Sequence, residues 1–329
     1  VVERPASVVK ELVENSLDAE ATRIEVELVN GGRSRVRVSD DGCGMDADDA
    51  VLALERHATS KISAADQLHH INTLGFRGEA LPSIAAVSRF TLLTSADPSQ
   101  GGVRVTVEGG RILAAEPAAR ARGTTVEVSD LFFNMPARRK FLRSPETELR
   151  HASEILWGAA LARPDVAFVL RHGSRTLIDA PAVADASQRL KDLWRKADRI
   201  VGFKATAGAA EVRGLLAPGG GRGRPSLILL VNGRAVKDRL LVGAVMRVLR
   251  SAGTGFGGAR GVVDLRLPPD DVDVNVHPAK AEVRFSRSGS VFALIERGVR
   301  EGVAATQGRV AVSSLDEGPP PGGVAAPES

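Results

Sequence analysis

The sequence contains no tyrosine, and aromatic residues make up only 4% of it. Base stacking on a platform of rings is therefore not expected. Any DNA contact should fall to the phosphates and be largely independent of sequence. The one cysteine, Cys43, excludes an internal disulfide and suits a reducing compartment. Of the six histidines, His69 and His70 are adjacent and the rest scattered, which is not the spacing of a structural zinc site. No apolar run is long enough to cross a membrane and no signal-peptide pattern is found, so the expected location is cytoplasmic, nucleoid-associated if bacterial. A Gly-x-x-x-x-Gly-Lys-Ser/Thr string is missing, which excludes a P-loop ATPase. Gly253-Thr254-Gly255-Phe256-Gly257-Gly258 formally fits a dinucleotide fingerprint. It follows a predicted helix and precedes a strand, the reverse of the required context. The net charge of +4, from 44 basic and 40 acidic residues, is too mild to establish nucleic-acid binding by itself.

What is present is enough chain for two compact domains: 329 residues, 43% of them hydrophobic. Val8, Val9, Leu12, Val13 and Leu17 recur at helical spacing behind Pro5, which suits a first turn. Ile24, Val26 and Leu28 alternate with Arg23, Glu25 and Glu27 as in a half-buried strand. Asn30-Gly31-Gly32 turns the chain into a second strand through Val36 and Val38. The spacing predicts a helix over 46–55, an irregular lid over 56–77, a helix over 78–87, and strands near 89–95, 103–107 and 123–129. Residues 138–163 read as largely helical, followed by a hairpin of 166–170 and 175–178. Beyond a compositional shift near Asp185 come a short helix over 188–196, strands over 211–216 and 226–231, a helix over 240–251, a strand over 261–267 and a closing helix over 291–305. The expected organisation is a first domain over 1–187, a second α/β domain over 188–308 and a disordered linker over 309–329.

Two polar constellations carry chemistry. In Val38-Ser39-Asp40-Asp41-Gly42-Cys43-Gly44 an aspartate ends a strand before Gly-x-Gly. An ionised carboxylate only accepts hydrogen bonds, so it suits an exocyclic amine such as that of adenine. Glycines let the backbone come close to a flat ring. Taken alone, the string equally suits a hairpin-exit turn. On the first helix Glu11, Asn15 and Asp18 share one face at i, i+4 and i+7. Glu11 could activate a water as general base, and the Asn15 amide oxygen is a hard donor for Mg²⁺. A solvated helix stripe would look the same.

The order of Glu11 to Asn15, Asp40-Asp41-Gly42-Cys43-Gly44, Arg56-His57-Ala58-Thr59-Ser60-Lys61, Gly75 to Leu81 and Gly123-Thr124-Thr125 resembles the GHKL (Bergerat-type) ATPases. Val1-Val2-Glu3-Arg4-Pro5, Gly75-Phe76-Arg77-Gly78-Glu79-Ala80-Leu81, Pro136-Ala137-Arg138-Arg139-Lys140-Phe141-Leu142 and Asp273-Val274-Asn275-Val276-His277-Pro278-Ala279-Lys280 narrow it. Over residues 1 to about 300 the chain closely resembles the N-terminal region of the MutL family of DNA mismatch repair proteins. The resemblance implies fold class α/β (α+β): two α/β sandwich domains, a Bergerat-type GHKL ATPase domain followed by a ribosomal-protein-like domain.

The same resemblance implies site roles and partners. Asp40 would read adenine beside Gly42 and Gly44, with Thr125 and its neighbour Thr124 supporting the adenine side. Thr59, Ser60 and Lys61 would close over the triphosphate, and Gly75, Phe76, Arg77 and Gly78 would form a phosphate nest. Glu11 would be the base, Asn15 the Mg²⁺ ligand, and Lys280 would reach the γ-phosphate from the second domain. The implied function is a slow Mg²⁺-dependent ATPase acting as an ATP-gated clamp. It would dimerise with ATP, bind DNA non-specifically, and link the mismatch-recognition protein MutS to a downstream nuclease or helicase. Alternatives are a non-catalytic nucleotide-gated adapter and a type II topoisomerase ATPase region, against which the motifs at 77–81 and 277–280 argue. Arg234, on the Asn232-Gly233-Arg234 turn, with Lys237 and Arg239, is the expected DNA contact. Family members carry an earlier N-terminal segment and a C-terminal dimerisation domain, so the resemblance implies a fragment lacking both. Glu20 departs from the family's glycine after Asp18-Ala19 and is expected to keep a negative φ.

Overall fold

The computed structural model describes residues 2–55, 80–185, 188–189, 200–217, 226–232, 234–236, 238–252, 258–273 and 283–313. It divides into two compact units, Val1–Arg195 and Lys196–Ser329. No described helix is long and apolar enough to cross a membrane.

In the first unit α1, Pro5–Asp18, begins with proline in its first turn and buries Val8, Val9, Leu12, Val13 and Leu17, the positions read from the periodicity. Its end is a Schellman cap: Ala21 N–H donates to Ser16 O and Glu20 N–H to Leu17 O, both at 3.1 Å. Glu20 is the residue that turns left-handed, with φ +58°, so the expected negative φ is corrected. The cap needs that conformation at this position, and the exposed side chain accepts the strain.

The strands β1, Arg23–Val29, and β2, Arg35–Asp40, pair antiparallel with Val26 opposite Val38, across a one-turn 3-10 helix at Asn30–Gly32. Next come α2, Ala47–Leu52, capped by Asp46, and α3, Ala80–Ala85. Then follow β3, Arg89–Ser95; β4, Gly102–Glu108; β5, Arg111–Ala118; and β6, Gly123–Ser129. Of these, β5 is not foreseen from sequence. It is an edge strand of Ala, Glu and Pro with mostly exposed residues, so it lacks the alternation that burial imposes, and Pro117 is tolerated at an edge.

The largely helical stretch expected over 138–163 consists of two helices: α4, Pro136–Lys140, and α5, Pro145–Ala162. Pro145 cannot continue a helix from before it, and Ser144 restarts one by accepting from Thr147 N–H. The hairpin β7, Ala167–His172, and β8, Arg175–Ala180, completes an eight-stranded sheet in the order β5-β4-β3-β6-β2-β1-β7-β8. Only β1 and β7 are parallel neighbours within it. The helices α1 and α5 pack together and against the sheet, enclosing a core that includes Ile24, Val26, Leu28, Phe90, Leu156 and Phe168. Each such side chain contributes about 1.5–3 kcal/mol through burial.

In the second unit a five-stranded sheet runs β12-β11-β13-β10-β9. The strands are β9, Val201–Ala207; β10, Ala210–Ala217; β11, Ser226–Val231; β12, Arg234–Val236; and β13, Arg260–Arg266. The parallel pair β11 and β13 is connected through α6, Arg239–Ser251, which buries Leu241, Val245, Val248 and Leu249. A small ladder joins β14, Val272–Asp273, to β15, Arg284–Phe285. The closing helix α7, Ser288–Ser313, packs on β9 and α6. It runs past the expected end at Ala305 into the stretch expected to be linker, because no proline interrupts it before Pro319. The remainder of that stretch, and most of the helix expected over 188–196, lie outside the described residues.

Glu20→Gly should stabilise the first unit by about 0.5–1 kcal/mol, since glycine adopts φ +58° without strain and a carboxylate beside a helix C-terminus is removed. Chemical denaturation of both proteins checks this, and an unchanged or lower midpoint would refute the strained-cap account.

Candidate functional site

Asp40 is the last residue of β2 and shares parity with buried Val36 and Val38, so its side chain leaves the strand on the face that packs under α1. Ser16 Oγ, on α1, donates to Asp40 Oδ2 at 2.7 Å. The Gly42 and Thr124 N–H groups donate to Oδ1 at 3.0 and 3.1 Å. The single Ser16 proton also has Leu12 O at 3.1 Å, and the shorter, charge-assisted contact takes it. A carboxylate offers about four lone-pair sites. Three are filled by described groups, which leaves one on Oδ2 for a donor from outside.

The loop after Asp40 is fixed at both ends. Asp41 Oδ1 accepts from the Thr22 and Arg23 N–H groups, each at 2.8 Å, and Oδ2 from the Thr22 hydroxyl. Burial works to raise this carboxyl, but the Thr22 hydroxyl and the Arg23 and Thr22 amides outweigh it and hold it below the usual carboxylate range. Cys43 N–H donates to Ala19 O, and Met45 N–H to Thr94 Oγ1. The tight course explains both glycines. A Cβ at Gly42 would lie 2.7 Å from Ala19 O. At Gly44, where φ is +69°, it would lie 2.0 Å from Ser95 O. Cys43 between them is exposed.

The neighbouring strand β6 divides its two threonines between sheet faces. Thr124 stands opposite Thr94, with hydroxyl oxygens 2.9 Å apart, and its N–H reaches Asp40. Thr125 stands opposite Ser39, 2.8 Å between hydroxyls, and also accepts from Arg120 Nη1 at 2.7 Å. The direct contact to Asp40 thus comes from Thr124, whereas Thr125, expected to support the adenine side, is engaged on the other face. Sequence reasoning did not single out Ser16, Thr94 or Arg120. Period-two alternation along β3 could have marked Thr94, but nothing in Arg120-Ala121-Arg122 distinguishes a site arginine from a solvated one.

On α1, Glu11 and Asn15 are half-buried one turn apart, and Asn15 directly precedes the Ser16 that binds Asp40. The structure thus brings together Asp40, Gly42 and Thr124, with Gly44 on the same loop and Thr125 on the opposite face of the sheet, while Asn15 adjoins Ser16 in sequence and Glu11 lies a turn earlier on the helix. Thr59, Ser60, Lys61, Gly75, Phe76, Arg77, Gly78 and Lys280 lie outside the described residues, as does Lys237. In the second unit Arg234 is not on the turn but opens β12 opposite Val231. Asn232, at φ +49°, makes that turn and ties it to Leu267 through both side-chain amide atoms. Arg239 is exposed at the start of α6, behind the Asp238 cap.

Residues 3–109 match the family model "Histidine kinase-, DNA gyrase B-, and HSP90-like ATPase", and residues 196–304 match "DNA mismatch repair protein, C-terminal domain". The DNA mismatch repair protein MutL of Anaeromyxobacter dehalogenans (strain 2CP-C) is 50% identical over 335 residues, covering 99% of this chain and 55% of that protein. MutL of Gemmatimonas aurantiaca is 45% identical over 304 residues, covering 91% and 50%. The chain spans about half the length of the curated relatives it matches. Among solved structures, the Aquifex aeolicus MutL ATPase domain complexed with ADP is similar at 29% identity and TM-score 0.63, covering 82% of this chain and 94% of that one. The N-terminal domain of a DNA repair protein, 23% identical with TM-score 0.79, covers 95% and 97% and shares the fold. With the GHKL-type sheet, the aspartate site and these matches together, the chain belongs to the MutL family of DNA mismatch repair proteins.

Proposed function

We propose that this chain binds ATP with the adenine amine on Asp40 and hydrolyses it slowly, as the nucleotide-gated part of a mismatch-repair clamp. The carrying observation is the Asp40 carboxylate: three donors of the chain fix it and one acceptor site is left, which suits one amine N–H. The ADP held by the Aquifex aeolicus relative supports a nucleotide in this fold. On the neighbouring face of α1, Glu11 serves as general base toward the attacking water. The Asn15 amide oxygen is a hard donor, and one or two protein oxygens beside phosphates are the donor set Mg²⁺ takes. When bound, the ion neutralises charge on the phosphate oxygens. Thr59 to Lys61 and Gly75 to Gly78 are the proposed phosphate loops, with Lys280 reaching the γ-phosphate.

The wider role follows from the family. ATP would pair two copies of the chain, and the pair would hold DNA by its backbone. It would pass a signal from MutS, at the mismatch, to a nuclease or helicase in the cytoplasm. In the second unit Arg239 is exposed, and Arg234 and Lys237 stand near it in sequence, which suits phosphate contacts.

Asp40→Asn or Asp40→Ala should weaken ATP binding by about ten- to a hundred-fold, because a buried donor left unpaired costs roughly 1–3 kcal/mol. Calorimetry showing equal affinity would overturn the adenine assignment. Glu11→Ala should keep ATP bound but slow hydrolysis by about 10²–10⁴. Unchanged turnover at saturating ATP would remove Glu11 from catalysis and favour the non-catalytic adapter. Arg234→Glu should lower affinity for duplex and single-stranded DNA alike and flatten the dependence on salt. Titrations at two salt concentrations test this, and full affinity in the variant would take Arg234 off the DNA surface.

A further inference from the structure

We propose that Arg120 is a positioning residue for base recognition, holding Asp40 in the orientation that meets the adenine amine; the inference rests on the reading of Asp40 given above. Arg120 lies between β5 and β6, outside every motif of the sequence. Its guanidinium makes three separate contacts: Nε donates to Gly123 O at 3.0 Å, Nη1 to Thr125 Oγ1 at 2.7 Å and Nη2 to Asp40 O at 2.9 Å.

Two of these contacts converge on Asp40. One grips its backbone carbonyl directly. The other grips the peptide between Gly123 and Thr124, whose oxygen accepts from Arg120 and whose N–H donates to Asp40 Oδ1 at 3.1 Å. A rotation of that peptide would withdraw the N–H from the carboxylate, and Arg120 opposes it. Thr94 Oγ1 also lies 3.2 Å from the same Gly123 oxygen, but a hydroxyl shared with Thr124 and Met45 is a weaker tether than a charged, half-buried fork. Burial pushes the guanidinium below its usual value, opposed by the attraction of Asp40, yet an arginine stays charged in a protein. The acceptors belong to β2 and β6, so the fork also locks the ends of two strands together. Lysine has one nitrogen on a flexible stem and cannot serve three divergent acceptors at once.

The carboxylate is thereby fixed before a ligand arrives, and less order remains to be imposed on binding. The contact at stake is the one with the 6-amine, so its measure is the ratio of affinities for ATP and for purine riboside triphosphate, which lacks that amine. In Arg120→Ala, folded by circular dichroism, ATP affinity should fall about three- to ten-fold, the scale of one ordinary hydrogen bond partly lost, while that for purine riboside triphosphate holds. Arg120→Lys should also narrow the ratio, and it serves as the test if the alanine variant does not fold. An unchanged ratio, or an equal loss for both nucleotides, would overturn the proposal and reduce Arg120 to scaffolding. Asp40→Ala measured alongside separates the two ideas. If it leaves the ratio intact, the adenine reading itself falls. If it collapses the ratio while the Arg120 variants do not, only the role of Arg120 is lost.

Discussion

A carboxylate turned in at the end of a sheet needs hydrogen-bond donors to replace the water it gives up. Around Asp40 they come from three elements, two of them distant in sequence: a serine on α1, an amide of the following loop and an amide of β6. Much of the local architecture answers to that requirement. The close passage of the loop beneath Ala19 admits only a small residue at Gly42, and the Schellman cap at Glu20 turns the chain from α1 toward β1. Asp41, pinned to Thr22 and Arg23, keeps the loop from peeling away. The site is thus less a pocket lined by chosen residues than a junction where one half-buried carboxylate meets donors from three elements.

Sheet parity then distributes the roles. Successive residues of a strand face opposite sides. In β6 this sends Thr124 toward Thr94 on the side of Asp40, and Thr125 toward Ser39 and Arg120 on the other. Two adjacent threonines therefore do different work. One binds the Asp40 carboxylate through its backbone, and the other closes a hydrogen-bond network on the opposite face.

The fold was legible wherever burial imposed a period. The ladder of Ile24, Val26 and Leu28 and the helical spacing of Val8, Val9, Leu12 and Val13 placed β1 and α1 because each repeats against one core. Legibility failed where the constraint was not hydrophobic. An edge strand such as β5 needs no alternation, while β9, whose Val201, Phe203 and Ala205 do alternate, went unread because its outward positions include the glycine Gly202. The split at Ser144-Pro145 was readable from proline and serine alone, yet the apolar spacing of α5 masked it. The left-handed Glu20 was misjudged because propensity speaks for the residue and the cap speaks for the position. For the site, Asp40 and its glycines stood out as a string. Ser16 and Arg120 did not, since a hydrogen bond to a residue more than twenty positions away leaves no spacing to read.

The helix α1 bears on both halves of the proposed chemistry, and its geometry separates them. Ser16 touches the Asp40 carboxylate, while Glu11 lies five residues earlier, about 7.5 Å along the axis at 1.5 Å per residue. That distance is too long for Glu11 to act on a group held by Asp40, so under the proposed function the two carboxylates would serve different parts of one ligand. Asn15 lies between them, at the point where base and phosphate chemistry would meet. A rigid helix buried along Val8, Val9, Leu12 and Val13 keeps this spacing constant. In the proposed reading, base recognition near one end of this helix would help set where the phosphates lie toward the other.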